Sequence, residues 1–189
     1  HKKSSSMNSL KKLAQFNNAA NTWLADLENK SAEEILINSS QGSWSLSELY
    51  DHIIRVGRSY QIPNLKKSIT AEAERKKGKN VKGIIIFNVG IEKLPVKVKM
   101  EHFPDPLPKY FTPIKQNKSD LIQDFKLYIE EVNALKEIVL KSSRKNKQYH
   151  PMFGDIKTKD WFTIIVFHLF HHEKQRDRIH TFLESQPRK

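Results

Sequence analysis

The chain has 189 residues, with 33 Lys plus Arg against 21 Asp plus Glu, a formal net charge of +12 and no cysteine. That length suits one domain with a substantial core, and the absence of cysteine excludes disulfides, thiolate metal sites and a cysteine nucleophile. Any metal here must be held by nitrogen and oxygen donors. No apolar run approaches the ~20 residues of a spanning helix, and HKKSSSMNSL lacks the apolar core of a signal peptide. His1 to Ser6 read as an appended remnant, with Met7 as the expected native start and 7–189 as a single domain, expected in the cytoplasm.

Excess positive charge can serve an anionic partner. Here it is spread thinly or gathered in runs that read as loops, such as Arg75-Lys76-Lys77-Gly78-Lys79 and Arg144-Lys145-Asn146-Lys147. No aromatic residues interleave with those runs as single-strand binders require. A solvated basic surface is therefore expected, and nucleic acid is not the expected partner.

In chain order, Leu10, Leu13, Phe16, Ala20, Trp23, Leu24 and Leu27 form an amphipathic helical stripe near residues 8–28. Trp23 and Phe16 read as core. Ser45 reads as an N-cap with Glu48 completing a capping box. The helix it opens carries Leu46, Leu49, Ile53, Val56 and Tyr60, with Trp44 just before it. It is expected over 45–68, with Pro63 kinking or breaking it. His52 shares the apolar face of Leu49 and Val56, so its nitrogens need partners.

Residues 70–82 read as a charged surface loop. Gly83-Ile84-Ile85-Ile86-Phe87-Asn88-Val89 is β-branched enough for a strand, yet only Val96-Lys97-Val98 offers a partner. A short helix packed across the others is the preferred reading. Pro95, Pro104, Pro106, Pro108 and Pro113 then mark a long irregular connection carrying His102, Phe103, Tyr110 and Phe111. Such connections often wall a site.

Ser119 is the expected cap of a third long helix, near 119–142, carrying Leu121, Phe125, Tyr128, Val132, Leu135 and Val139. Residues 148–155 read as a loop. Thr158 is the expected cap of the last helix, near 158–183. On that helix His168 and His172 stand i and i+4, about 40° apart at roughly 100° per residue, so both rings leave one face. Neutral imidazoles one turn apart can converge on a zinc, nickel or iron ion. His52 is the natural third donor. His171 rivals His172 by register, but His172 lies nearer the stripe continued by Gln175 and Ile179.

These pieces together resemble the DinB/YfiT-like metalloenzyme superfamily. The matching residues are Trp44-Ser45-x-x-Glu48-Leu49-x-x-His52, His150-Pro151-x-Phe153-Gly154, Trp161 and His168-x-x-His171-His172-x-x-Gln175. They look most like an uncharacterised DinB-like branch. The resemblance spans roughly Leu10 to Phe182 and is least typical in the middle. It implies an all-α fold: an antiparallel four-helix bundle with crossed connectivity, a long irregular connection between helices 2 and 3, and often a dimer. It also implies His52, His168 and His172 as ligands of zinc or nickel. Some relatives transfer a low-molecular-weight thiol such as bacillithiol or mycothiol, and others are hydrolase-like.

The expected function is therefore a divalent-metal-dependent enzyme acting on a small molecule, by thiol transfer or hydrolysis. Gln175, His171 and Tyr50 are the candidate catalytic groups. The alternatives are a non-catalytic, metal-stabilised binding module and a basic nucleic-acid-associated protein.

Overall fold

The computed structural model describes residues 2–70, 77–89, 107 and 111–186, with 2–6 and 89 described by backbone only. His102, Phe103 and Tyr110, the Val96–Val98 segment, and Arg75 and Lys76 of the first basic run lie outside the described residues. Helix α1 spans Lys2–Asn29. Its Leu13, Phe16, Ala20, Trp23 and Leu27, three or four positions apart, are all buried on one face.

A 3-10 turn at Glu34–Leu36 buries Ile35, and a polar loop leads to α2, Leu46–Val56. The expected capping box is present: Glu48 N–H donates to Ser45 Oγ at 3.3 Å, and Ser45 N–H donates to Glu48 Oε2 at 2.9 Å. The chain stays helical through a π turn at Gly57–Gln61 into α3, Ile62–Lys67. Pro63 has no N–H to continue an α ladder. The expected disturbance is met by widening the preceding turn, where Ile62 N–H reaches the Gly57 carbonyl. A Cβ on Gly57 would overlap the Tyr128 ring, so glycine here permits close helix packing.

Residues 81–89 form helix α4, Val81–Val89, with Ile86 buried and Phe87 edge-on to Phe153 at 5.5 Å. The third long segment is two pieces, α5, Lys118–Ala134, and α6, Lys136–Lys141, interrupted at Leu135. Asn117, not Ser119, caps it: Asp120 N–H donates to Asn117 Oδ1 at 2.9 Å.

The loop expected over 148–155 is instead a β-hairpin. Strand β1, Lys147–His150, pairs antiparallel with β2, Gly154–Lys157. Gly154 takes φ +75°, and a Cβ there would meet the Asn80 backbone at 2.8 Å. The hairpin thus holds residues 78–80, with Asn80 N–H donating to Phe153 O at 3.0 Å. Basic residues of both expected loops are drawn into this structure. Lys79 pairs with Asp160 at 2.8 Å and lies over the Phe87 ring, and Lys147 Nζ donates to Lys77 O.

The single last helix expected over 158–183 is two helices, α7, Thr158–His171, and α8, Glu173–Glu184, which meet at His172. Thr158 is not the cap. It is the first helical residue, its hydroxyl 2.7 Å from Ser68 Oγ, while Asp160 Oδ2 accepts from Lys157 N–H at 3.0 Å. Helix α1 packs on α5 and α7, α2 on α5, and α3 on α7. The described structure is mostly helical, around one core that draws buried residues from every long helical segment. No helix among the described residues is long and apolar enough to cross a membrane.

Candidate metal centre

His52 projects from the second turn of α2, a helix whose start is fixed by the capping box. His168 and His172 come from the last turn of α7 and its junction with α8. The three rings form a near-equilateral group. Centroids are 5.2 Å apart for His52–His168, 5.0 Å for His52–His172 and 4.9 Å for His168–His172, and each pair is edge-on. One candidate ligand atom from each ring lies within 4.8 Å of the other two. Three histidines at such separations can hold one metal ion. Among the described residues, no fourth His, Asp or Glu belongs to the group.

Two rings are oriented from behind. His52 Nδ1 lies 2.9 Å from the Phe111 carbonyl oxygen. A carbonyl can only accept, so Nδ1 carries the proton and Nε2 keeps the lone pair. His172 Nδ1 lies 3.0 Å from Gln175 Oε1, which fixes that ring in the same way. The third ring differs: His168 Nδ1 is shielded from solvent and has no hydrogen-bond partner. A shielded ring nitrogen without a partner is costly, and a cation coordinated at that nitrogen would offset the cost.

Burial lowers the pKa of all three. For His52 it outweighs the opposing effects of the Phe111 carbonyl and of Asp51. His168 is driven well below the ordinary imidazole value by burial and then by the charges His172, His52 and His171 would carry. His172 is pushed down to about 3, by burial first and by His52 second. The rings are thus held neutral near pH 7, the form that donates to a metal. The donor set can coordinate a metal ion.

The remaining sequence candidates divide. Gln175 is at the centre, as the acceptor for His172. His171 is exposed, its ring 4.9 Å from that of His172 at 81°, and does not join the group. Tyr50 is not at the centre. It is fully buried, its hydroxyl donates to Trp23 O at 2.6 Å, and burial raises its pKa. Asp51 turns away, as its position one residue before His52 requires, and pairs with Arg55 at 3.0 Å.

Two contributors were seen in the sequence without their roles. Trp44, which opens the motif ending at His52, lies 4.7 Å from His52 and 6.3 Å from His172, half-buried over both rings. Phe111, on the connection expected to wall a site, contributes its carbonyl, which has no signal of its own because a backbone oxygen is the same at every residue. Trp44 also lines a polar groove of about 670 Å³ with Asn38, Ser43, Glu48 and Lys115. No protein-family model and no curated protein matches the chain.

Proposed function

We propose that this protein is a divalent-metal-dependent enzyme of the DinB-like kind, acting on a small electrophile by thiol transfer or on a small substrate by hydrolysis. The observation that carries this reading is the convergence of three neutral imidazoles, from two helices, with no carboxylate among them. His52, His168 and His172 would hold the ion. A divalent ion held by neutral donors keeps its full charge and supplies Lewis-acid activation of a thiol or water near neutral pH.

The protein's own groups have defined tasks. The Phe111 carbonyl and Gln175 hold His52 and His172 with Nε2 available. Trp44 covers the rings, excludes water from one side and offers a flat apolar wall to a substrate. His171 would pass a proton between the centre and solvent, a role supported by its exposure and its ring contact with His172. No cysteine is needed, because a low-molecular-weight thiol would enter as cosubstrate. A four-helix-bundle arrangement is part of this reading, supported by the contacts of α1 with α5 and α7 and of α2 with α5.

The test is turnover. Metal-free protein reloaded with zinc or nickel is assayed with an activated aryl halide against a panel of thiols, and with activated esters. Metal-dependent turnover that disappears in His52→Ala supports the proposal. Full metal loading with no turnover of either substrate class contradicts the enzyme reading and leaves a metal-stabilised binding module.

A further inference from the structure

Residues 111–117 lie along α2 as a strap leading into α5, and side chains of α2 fasten it. Ile114 N–H donates to Asp51 Oδ2 at 2.9 Å, and Gln116 Nε2 donates to Asp51 Oδ1 at 2.7 Å. Gln116 N–H also donates to Ser47 Oγ at 2.7 Å, while Ser47 Oγ donates to Gln116 O at 2.9 Å. At the near end the Phe111 carbonyl accepts from His52 Nδ1.

Asp51 is the centre of this fastening. Its carboxylate is 2% exposed and accepts four hydrogen bonds, two from the strap and two at 3.0 Å from Arg55 Nε and Nη2. A buried carboxylate is tolerable only with such pairing. Three residues separate Ile114 from Phe111, so the clamp on Ile114 sets where the Phe111 carbonyl can lie. Released there, the strap would keep the Phe111 ring against Tyr60 at 5.3 Å, Ser47 at Gln116, and the Lys115 contacts with Leu36 O and Asn38 Oδ1. The ring contact anchors the Phe111 side chain, and the Ile114 clamp sets the path of the backbone that carries its carbonyl.

We propose that Asp51 is a positioning residue for the metal centre: by clamping Ile114 and Gln116 it places the Phe111 carbonyl that holds His52 with Nε2 free. It is not one of the three candidate ligands; its charge reaches His52 directly, and its hydrogen bonds reach the ring through the strap. The inference rests on the metal reading above for its effect on affinity, but not for its effect on the His52 ring.

Asp51→Asn is the direct test. The amide keeps the volume, yet its NH2 must face two N–H donors whichever way it turns, so one side of the clamp opens. Zinc affinity by competition with a chelator should fall roughly 10–100-fold, the usual effect of losing an outer partner of a ligand. In metal-free protein, imidazole nitrogen NMR should show His52 moving from one Nδ1–H tautomer to a mixture. Leu183→Ala, in the core of α8, controls for stability alone and should change neither readout. Because Asp51→Asn also removes a charge that acts on His52, Gln116→Ala is made beside it. That variant removes one strap bond with the Asp51 charge and the Asp51–Arg55 pair intact, and it should shift both readouts in the same direction, by less.

Wild-type affinity with an unchanged His52 tautomer in Asp51→Asn would overturn the inference. So would equal loss in Leu183→Ala. If the wild type binds no zinc, the metal reading fails alone, and the tautomer in metal-free protein still decides the role of the strap.

Discussion

The indole of Trp44 lies 4.7 Å from the imidazole of His52, their planes inclined at 45°. The other two tryptophans, Trp23 and Trp161, are buried in the core, with Trp23 stacked beneath Arg176 and Trp161 against Tyr60 and His150. One tryptophan of three is therefore an optical reporter of the centre.

Titration with nickel, which quenches indole emission at short range, should lower fluorescence in a saturable step, and zinc should lower it far less. Trp44→Phe should remove most of the nickel response while binding continues. A quench of equal size in Trp44→Phe would mean that the ion binds near Trp23 or Trp161 instead.

Loss of one ligand should disable the site. His52→Ala is expected to weaken binding as severely as His168→Ala or His172→Ala, and by more than the roughly 10–100-fold of an outer partner. His171→Ala should leave occupancy near wild type, because that ring stands outside the group. Elemental analysis of the four variants after dialysis reads this out. Full occupancy in His52→Ala would show that α2 does not close the site.

Acid should destabilise the metal-free protein through its buried histidines. Burial pushes both His150 and His172 down to about 3, whereas an unfolded imidazole titrates near 6.5. Above that value both states hold neutral rings, and these groups add no pH dependence. Below it the unfolded chain takes up protons that the folded chain refuses. Stability then falls by up to about 1.4 kcal/mol per pH unit per ring, until the folded rings protonate as well. Urea unfolding should give a midpoint that is flat from about pH 8 to 7 and declines below about 6. A midpoint that rises on acidification would contradict the buried, neutral assignment.

Gly57→Ala should destabilise, although alanine is the better helix former by up to about 1 kcal/mol. The new Cβ would overlap the buried Tyr128 ring, which is held between helices. Overpacking of that kind costs about 1–3 kcal/mol and should win. Thermal unfolding checks the sign: a raised midpoint would mean that α2 and α5 can part without cost.

The four long helical segments were legible because each carries an apolar stripe at helical spacing, and ends such as Asn29 and Glu184 lie close to those stripes. The start of α1 at Lys2, ahead of the stripe, and the division at His172 were not legible. The three histidines were legible because His168 and His172 share a face and His52 sits on a buried one. The hairpin was not, since Lys147–His150 and Gly154–Lys157 are short and polar, and Pro151 between them and Gly154 at the start of the second read equally well as loop. Tyr50 misled for a related reason. Two positions along a helix turn a side chain about 200° away, which sends it to Trp23 rather than to the rings. Asn117 displaced Ser119 as a cap because both can accept, and spacing alone does not choose between residues two apart.

The most direct measurement is a zinc-edge anomalous diffraction map of crystals of the zinc-loaded protein. One ion per chain is expected, with nitrogens of His52, His168 and His172 at about 2.0–2.1 Å and the remaining position filled by a non-protein ligand. An ion lying elsewhere, or one closed off by a fourth protein donor, would contradict it.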